Sequence, residues 1–258
     1  MKQGLWDRET VALLLLAALL PMLLAWLWDG GLTAAGRLGF TLVVSGFWHL
    51  AFMLIRAQPP SFAGVLTALA VAMLAPEDLS LLQLILGISF GSVIAELVFG
   101  GWGRNVLNPA TVTLAFLGFG FPAAPWPDLS VPIGWAAIPA LALGVLFGVM
   151  ALRLVLGAVL ALALCLWAGV PLAPLLPVAG IVLALLVSDP VASASTKLGG
   201  WLNGLLYGLL LALFAAHWQG AAPVQMAVSA ALLASLAAPL LDEIALALWI
   251  LRRRMRHG

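Results

Sequence analysis

The chain has 258 residues, 64% of them hydrophobic and only 8% charged, with a formal net charge of +1. With a mean hydropathy of +1.17, this is more apolar than a water-soluble domain can be and points to an all-α polytopic membrane protein. The charge balance excludes a global field for nucleic acid. The single cysteine, Cys165, excludes an intrachain disulfide or a cysteine-ligated iron–sulfur cluster and reads as a small apolar-run residue.

Thr10–Trp28 and Gly36–Ile55 read as the first two crossings; the first is too long, and lacks a small-x-small site, for a cleavable leader. Phe62–Ala75 is short for a crossing and ends in Ala75-Pro76-Glu77-Asp78. Leu79–Phe99 is the fourth run. Then comes Phe99–Thr113, FGGWGRNVLNPATVT, where glycine, asparagine and one arginine crowd into Gly100–Asn105. Asn108-Pro109 reads as a helix start, with an Asn cap and Pro at the first helical position. The apolar stretch that follows, Ala110–Phe121, falls well short of the roughly 20 residues a crossing needs. It is expected to be a half-helix whose amino end could receive an anion.

A Pro-rich loop, Pro122–Pro132, leads to Ile133–Leu152 and Leu154–Gly169. Val178–Ser188 is again short and breaks at Asp189-Pro190. A polar loop, Val191–Gly200, precedes Trp201–Trp218 and a last run, Pro223–Leu251. The order of short apolar piece, proline break and Gly-spaced helix after Gly64 recurs after Gly180. The expected fold is therefore about ten transmembrane segments in two five-segment repeats. These cover residues 1–132, with the half-helix at about 109–121, and 133–258, with the break at 189–190 and a basic tail at 252–258. Five segments per half makes the halves inverted, with the working site where broken helices meet. Eight or nine crossings remain the alternative count.

If segments alternate sides, all of the eleven basic residues except Arg37 fall on one side. The positive-inside rule then places both termini and the Arg104 and Lys197 loops in the cytoplasm. Several of the tryptophans, among them Trp6, Trp28 and Trp135, suit interfacial belts, and the C-terminal arginines a lipid-surface anchor.

Arg104, Asn108 and Thr111 would share a face if the turn were helical throughout, offering a fork and amides to an anionic ligand such as a flavin phosphate. The plainer reading is one cytoplasmic anchor and one structural cap. Asp189, with Ser193, Ser195 and Thr196 beyond it, suggests a cation or proton path, or else an ordinary cap before Pro190. Glu96 either snorkels to the interface or is buried for a reason, and Asp242 and Glu243 raise the same question. His49 and His217 stand singly, without the pairing of a metal or haem site, and read as core or interface residues. No nucleophile triad, CxxC or phosphate-loop motif is present.

GISFGSVIAELVFGGWGRNVLNPATVTLAFLGFGFP (Gly87–Pro122) resembles a segment of the NqrB/RnfD family. The likeness is to NqrB, a membrane component of the sodium-pumping NADH:quinone oxidoreductase, and less closely to RnfD of the Rnf electron-transport complex. Ser188-DPVASASTKLGGWLNGLLYG is similar to a second segment of that family. Shorter echoes occur at Phe47-WHLAFMLIR, at Leu66-TALAVAMLAPEDL and in the terminal AAPLLDE. The resemblance implies ten helices in inverted halves, urea-transporter-like in outline, and flavin-linked electron transfer towards quinone coupled to sodium or proton movement. Carried over by position, it implies cofactor binding at Gly100, Gly101, Gly103, Arg104, Asn105, Asn108 and Pro109, with Thr111 beside them. It also matches Asp189, Pro190, Ser193 and Ser195, of which Asp189, Ser193 and Ser195, with Glu96, are the expected ion path.

Two departures stand out. The family attaches FMN to a threonine after the half-helix, but here that loop, Ala123–Pro132, has no threonine. Covalent FMN is not expected, and a noncovalent flavin (FMN or riboflavin) is what remains. Where the family has a Lys-Glu pair before V-F-G-G, this chain has Glu96-Leu97. The expectation is a membrane component of an inner-membrane electron-transport complex, working with flavoprotein and iron–sulfur subunits and with quinone. The alternatives are a small-solute channel or carrier on the same scaffold, or a cofactor-free anchor for redox partners.

Overall fold

The computed structural model describes residues 7–56, 61–129 and 131–257, and every regular element among them is helical. Lys2 and Trp6, and the side chains of Arg254 and Arg256, lie outside the described residues. The first element, α1 (Arg8–Arg56), is a hairpin. A straight 49-residue helix would be about 74 Å long. Yet Glu9 Oε2 accepts the Phe62 N–H at 2.9 Å, only six residues beyond the far end. The reversal takes place at Gly31, whose φ of 54° and ψ of −135° suit glycine alone. The two arms, 8–30 and 32–56, are thus the first two expected runs joined by a single residue instead of a loop.

The second arm carries a polar stripe at four-residue spacing, Arg37, Thr41 and Ser45, and this stripe holds α2 (Ala63–Leu74). Ser45 Oγ donates to Gly64 O at 3.1 Å and Thr41 Oγ1 to Ala68 O at 3.0 Å. Arg37 donates to the carbonyls of Ala75 and Pro76, satisfying the end that Pro76 cuts short. α2 is apolar on all sides and almost wholly buried, as a helix without a polar face must be.

A Ser80–Gln83 capping box starts α3 (Leu81–Phe90), which loosens into a π-turn (Gly91–Glu96) and a 3₁₀ turn (Leu97–Phe99). After an irregular loop, α4 (Pro109–Gly120) returns to the opposite end, where Pro125 O accepts the Glu77 N–H at 2.7 Å. The short lengths expected of the third and fifth segments are therefore present as two 12-residue helices.

The second half begins with α5 (Val131–Leu146) and α6 (Leu152–Trp167). The expected run to Leu152 stops at Leu146 because Val149 and Met150 both donate to Gly144 O and close the helix. Next, a 3₁₀ turn (Ala173–Leu175), α7 (Leu176–Val182) and a π-turn (Leu183–Val187) form one short rod that starts earlier than the Val178 expected. α8 (Lys197–His217) follows a Thr196 cap, and α9 (Pro223–His257) closes the chain. α6 meets α8 through small residues: a Cβ on Gly204 would run into the Leu154 carbonyl, and one on Gly157 into the Trp201 carbonyl. Tyr207 OH donates to Ala179 O and Asn203 Nδ2 to Ala234 O, each at 3.0 Å, tying α8 to α7 and α9. By length and composition, four helices among the described residues are long and apolar enough to cross a membrane, the hairpin α1 being one of them. This is a multi-pass membrane protein.

Candidate functional site

The amino end of α4 and the carboxyl end of the α7 rod meet inside the bundle. Asn108 is the α4 cap: its Oδ1 accepts the N–H groups of Ala110 and Thr111 at 2.9 and 3.3 Å. Its Nδ2 donates to Asp189 Oδ2 at 2.9 Å, while Asp189 Oδ1 accepts the Val191 N–H at 3.0 Å. Both side chains are buried. The acidic group that faces this half-helix is thus a side chain of the chain itself. A cavity of about 20 Å³ adjoins the pair, bordered by Leu19, Ala63, Thr67, Trp102 and Pro109. That is room for about one water.

Glu96 lies at the end of the π-turn and is fully buried, which decides against snorkelling. Its Oε1 is 3.2 Å from His49 Nε2, and it is near enough for its charge to act on Asp189. Its Oε2 has no hydrogen-bond partner within the protein. The hydroxyls of Ser92, Thr111, Thr113 and Ser188 are likewise buried and unpartnered. Ser92 is one turn from Glu96, and Gly91 lies against Thr113 and the Pro109 carbonyl, so the π-turn and α4 share this polar seam.

The remaining expected residues separate. The loop from Gly100 to Leu107 is not helical, so Arg104 does not share a face with Asn108 and Thr111. Arg104 is exposed, its guanidinium over Gly100, while Thr111 is buried. Gly100, Gly101 and Gly103 hold φ values of 105°, 89° and 94°, which make the loop tight. Asn105 braces it, accepting the Gly103 N–H and donating to Leu107 O. Ser193 is half-buried near Asp189, its N–H donating to Asp189 O at 3.1 Å. Ser195 points elsewhere: its N–H and hydroxyl both donate to Asp242 Oδ2, at 2.8 and 2.9 Å. Thr196 does the same with Asp242 Oδ1, at 2.9 and 2.5 Å. These four bonds pin the polar loop to α9 and give the Asp242 carboxylate a structural task.

Residues 6–131, just under half of the chain, match the NQR2, RnfD, RnfE family. The B subunit of a Na(+)-translocating NADH-quinone reductase from Stutzerimonas stutzeri is 37% identical over 132 residues, covering 48% of this chain and 32% of that protein. Its counterparts in Klebsiella pneumoniae and Neisseria meningitidis are each 42% identical, over 95 and 96 residues, covering 37% of this chain and 22% of theirs. The matched stretches thus span a third or less of these relatives' length. The NQR2, RnfD, RnfE region includes Glu96, Arg104 and Asn108 and stops before Asp189. Asp189 joins the site through its bond to Asn108.

The partners of two residues escaped the sequence reading. His49 looked solitary because its partner is 47 positions away. Asp242 carried a visible signal, an acid within an apolar run, but nothing in the sequence said which backbone it would hold.

Proposed function

We infer that this chain is the membrane component of an ion-translocating electron-transport complex and that it carries the coupled cation through the Asn108–Asp189 junction. The observation behind this reading is that junction: two helix ends from different halves meeting at a buried carboxylate, beside a seam of unpartnered hydroxyls. A buried acid is costly in lipid and is retained where charge moves. The relatives are B subunits of a Na(+)-translocating NADH-quinone reductase, which supports redox partners of the flavoprotein or iron–sulfur type and a link to quinone. The ten-segment, inverted arrangement belongs to the same proposal. It is supported by the paired pattern of Ser80 capping α3 and Thr196 capping α8 after a proline break in each half. So does the inner-membrane setting with cytoplasmic termini, supported by the charge distribution.

In this reading the junction takes a small cation or a proton, not a flavin. Pockets for ligands of that size take about 300 Å³ or more, against about 20 Å³ here. The residues present suit a dehydrated cation or a proton, and Arg104 is exposed while Asn108 and Asp189 are buried. The flavin and quinone chemistry falls to partner proteins in this reading.

The test uses the assembled complex in vesicles, with sodium and proton uptake measured per electron transferred. Asp189→Asn should lower the ion-to-electron ratio by about tenfold, equivalent to about 1.4 kcal/mol at the limiting step, while electron transfer persists. An unchanged ratio overturns the proposal. A solute leak without redox partners would favour the carrier alternative.

A further inference from the structure

The His49–Glu96 pair has a geometry that fixes its proton count. His49 Nδ1 is 2.9 Å from the Ser45 carbonyl, which can only accept, so Nδ1 carries a hydrogen. Nε2 is 3.2 Å from Glu96 Oε1. A neutral ring with its hydrogen on Nδ1 turns a bare lone pair towards that oxygen, and a carboxylate there would repel it. The contact is a bond only when one more proton lies between the two groups, as imidazolium beside carboxylate or as imidazole beside carboxylic acid. Either form is neutral overall. The ring has little freedom to escape this choice, because it lies against Gly64, where any added Cβ would collide with it.

We propose that His49 and Glu96 form a protonation site that holds one shared proton between solvent and the buried polar seam. The placement of the two side chains supports this role. The His49 side chain is 15% exposed and the Glu96 side chain 1%, so His49 is the outer and Glu96 the inner member of the pair. On the inner side, Glu96 Oε2 is unpartnered and Ser92 lies one turn away, towards Thr111 and Thr113 of α4. Loading adds one proton from water and brings the pair from a charge of −1 to zero. Unloading returns that proton and leaves Glu96 as a carboxylate facing a lone pair, free to turn its oxygens to a cation. Proton and cation at Glu96 are therefore mutually exclusive, which makes this pair a point of competition between them.

The charged groups around the pair are few. Glu9, on the first arm of α1, is near enough to act on His49 and is itself paired with Arg8 at 3.4 Å. Asp189 feels Glu96 from the α7 side. Arg56 lies further out and donates to Val98 O. α2, which packs against the ring through Gly64, brings no titratable residue.

The purpose of such a site rests on the proposed ion path, but its protonation can be measured without transport or redox activity. The full chain is labelled with ¹⁵N-histidine in a His217→Gln, His257→Gln background, so that His49 alone reports. At about pH 7, near the ordinary titration of histidine, both ring nitrogens of His49 should show proton-bearing or proton-sharing resonances. In Glu96→Gln, Nε2 should move to the position of a plain acceptor while Nδ1 stays protonated. Sodium titrated into the unsubstituted pair should compete with the proton and release it, and should release none from Glu96→Gln. The proposal is overturned if Nε2 is unchanged by Glu96→Gln, or if the ring carries its hydrogen on Nε2 alone. Should Glu96→Gln fail to fold, the sodium titration of the intact pair decides alone: no proton release by sodium contradicts the site. A failed sodium or proton uptake assay with intact His49 resonances would instead count against the proposed function alone.

Discussion

Asp242 shows how one carboxylate can fix a loop. It accepts four hydrogen bonds from Ser195 and Thr196, just where α8 begins. Asp242→Ala should cost about 2 kcal/mol, the scale of hydrogen bonds to a charged group, read as a lower thermal midpoint in detergent with Asp189-dependent function otherwise retained. Asn108 serves two neighbours at once, capping α4 and holding Asp189. Asn108→Ala should therefore cost more than an ordinary cap, about 2–4 kcal/mol with the buried carboxylate left short of a donor, checked by the same melt. Both residues were visible in the sequence as polar interruptions of apolar runs. Their partners were legible to different degrees. Asn108 and Asp189 were each expected at a broken helix, but the Ser195–Asp242 bonds link positions 47 apart with no local pattern.

At the scale of elements, the interrupted segments follow from short-range chemistry. Pro76, Pro109 and Pro190 end or begin helices wherever they stand, and Ser80, Asn108 and Thr196 supply the caps. That is why α2, α4 and the α7 rod could be read as short. The α1 reversal was legible as the gap between the Thr10–Trp28 and Gly36–Ile55 runs, but its tightness was not: the turn is made at Gly31 alone, and the long-range bond between Glu9 and Phe62 fixes it. The π-turns at Gly91–Glu96 and Leu183–Val187 also leave no mark in the sequence, yet both flank the site. Close packing between α6 and α8 yields its own prediction. Gly204→Leu should force the helices apart and cost about 1–3 kcal/mol or more, seen as loss of monodisperse protein, while Gly36→Ala, with open space around it, should be silent.

Across the whole molecule, charge and burial divide the labour. Arg37 ties α2 at one end, while Glu9, Arg56 and the His49–Glu96 pair lie towards the other. Composition alone made the membrane setting legible, and the resemblance carried by Gly87–Pro122 falls within the matched region. What sequence could not supply was the size of the space between the halves. A hollow for a cofactor was expected, and the polar ends instead touch across a cavity of about 20 Å³.

The contact between Asn108 and Asp189 is what joins the two halves at the site, and a double-substitution cycle measures it directly. Asn108→Ala, Asp189→Asn and the double variant are compared by reversible unfolding of the purified chain. A direct bond predicts a coupling energy of about 1 kcal/mol or more between the two positions, and effects that add within about 0.5 kcal/mol would contradict it.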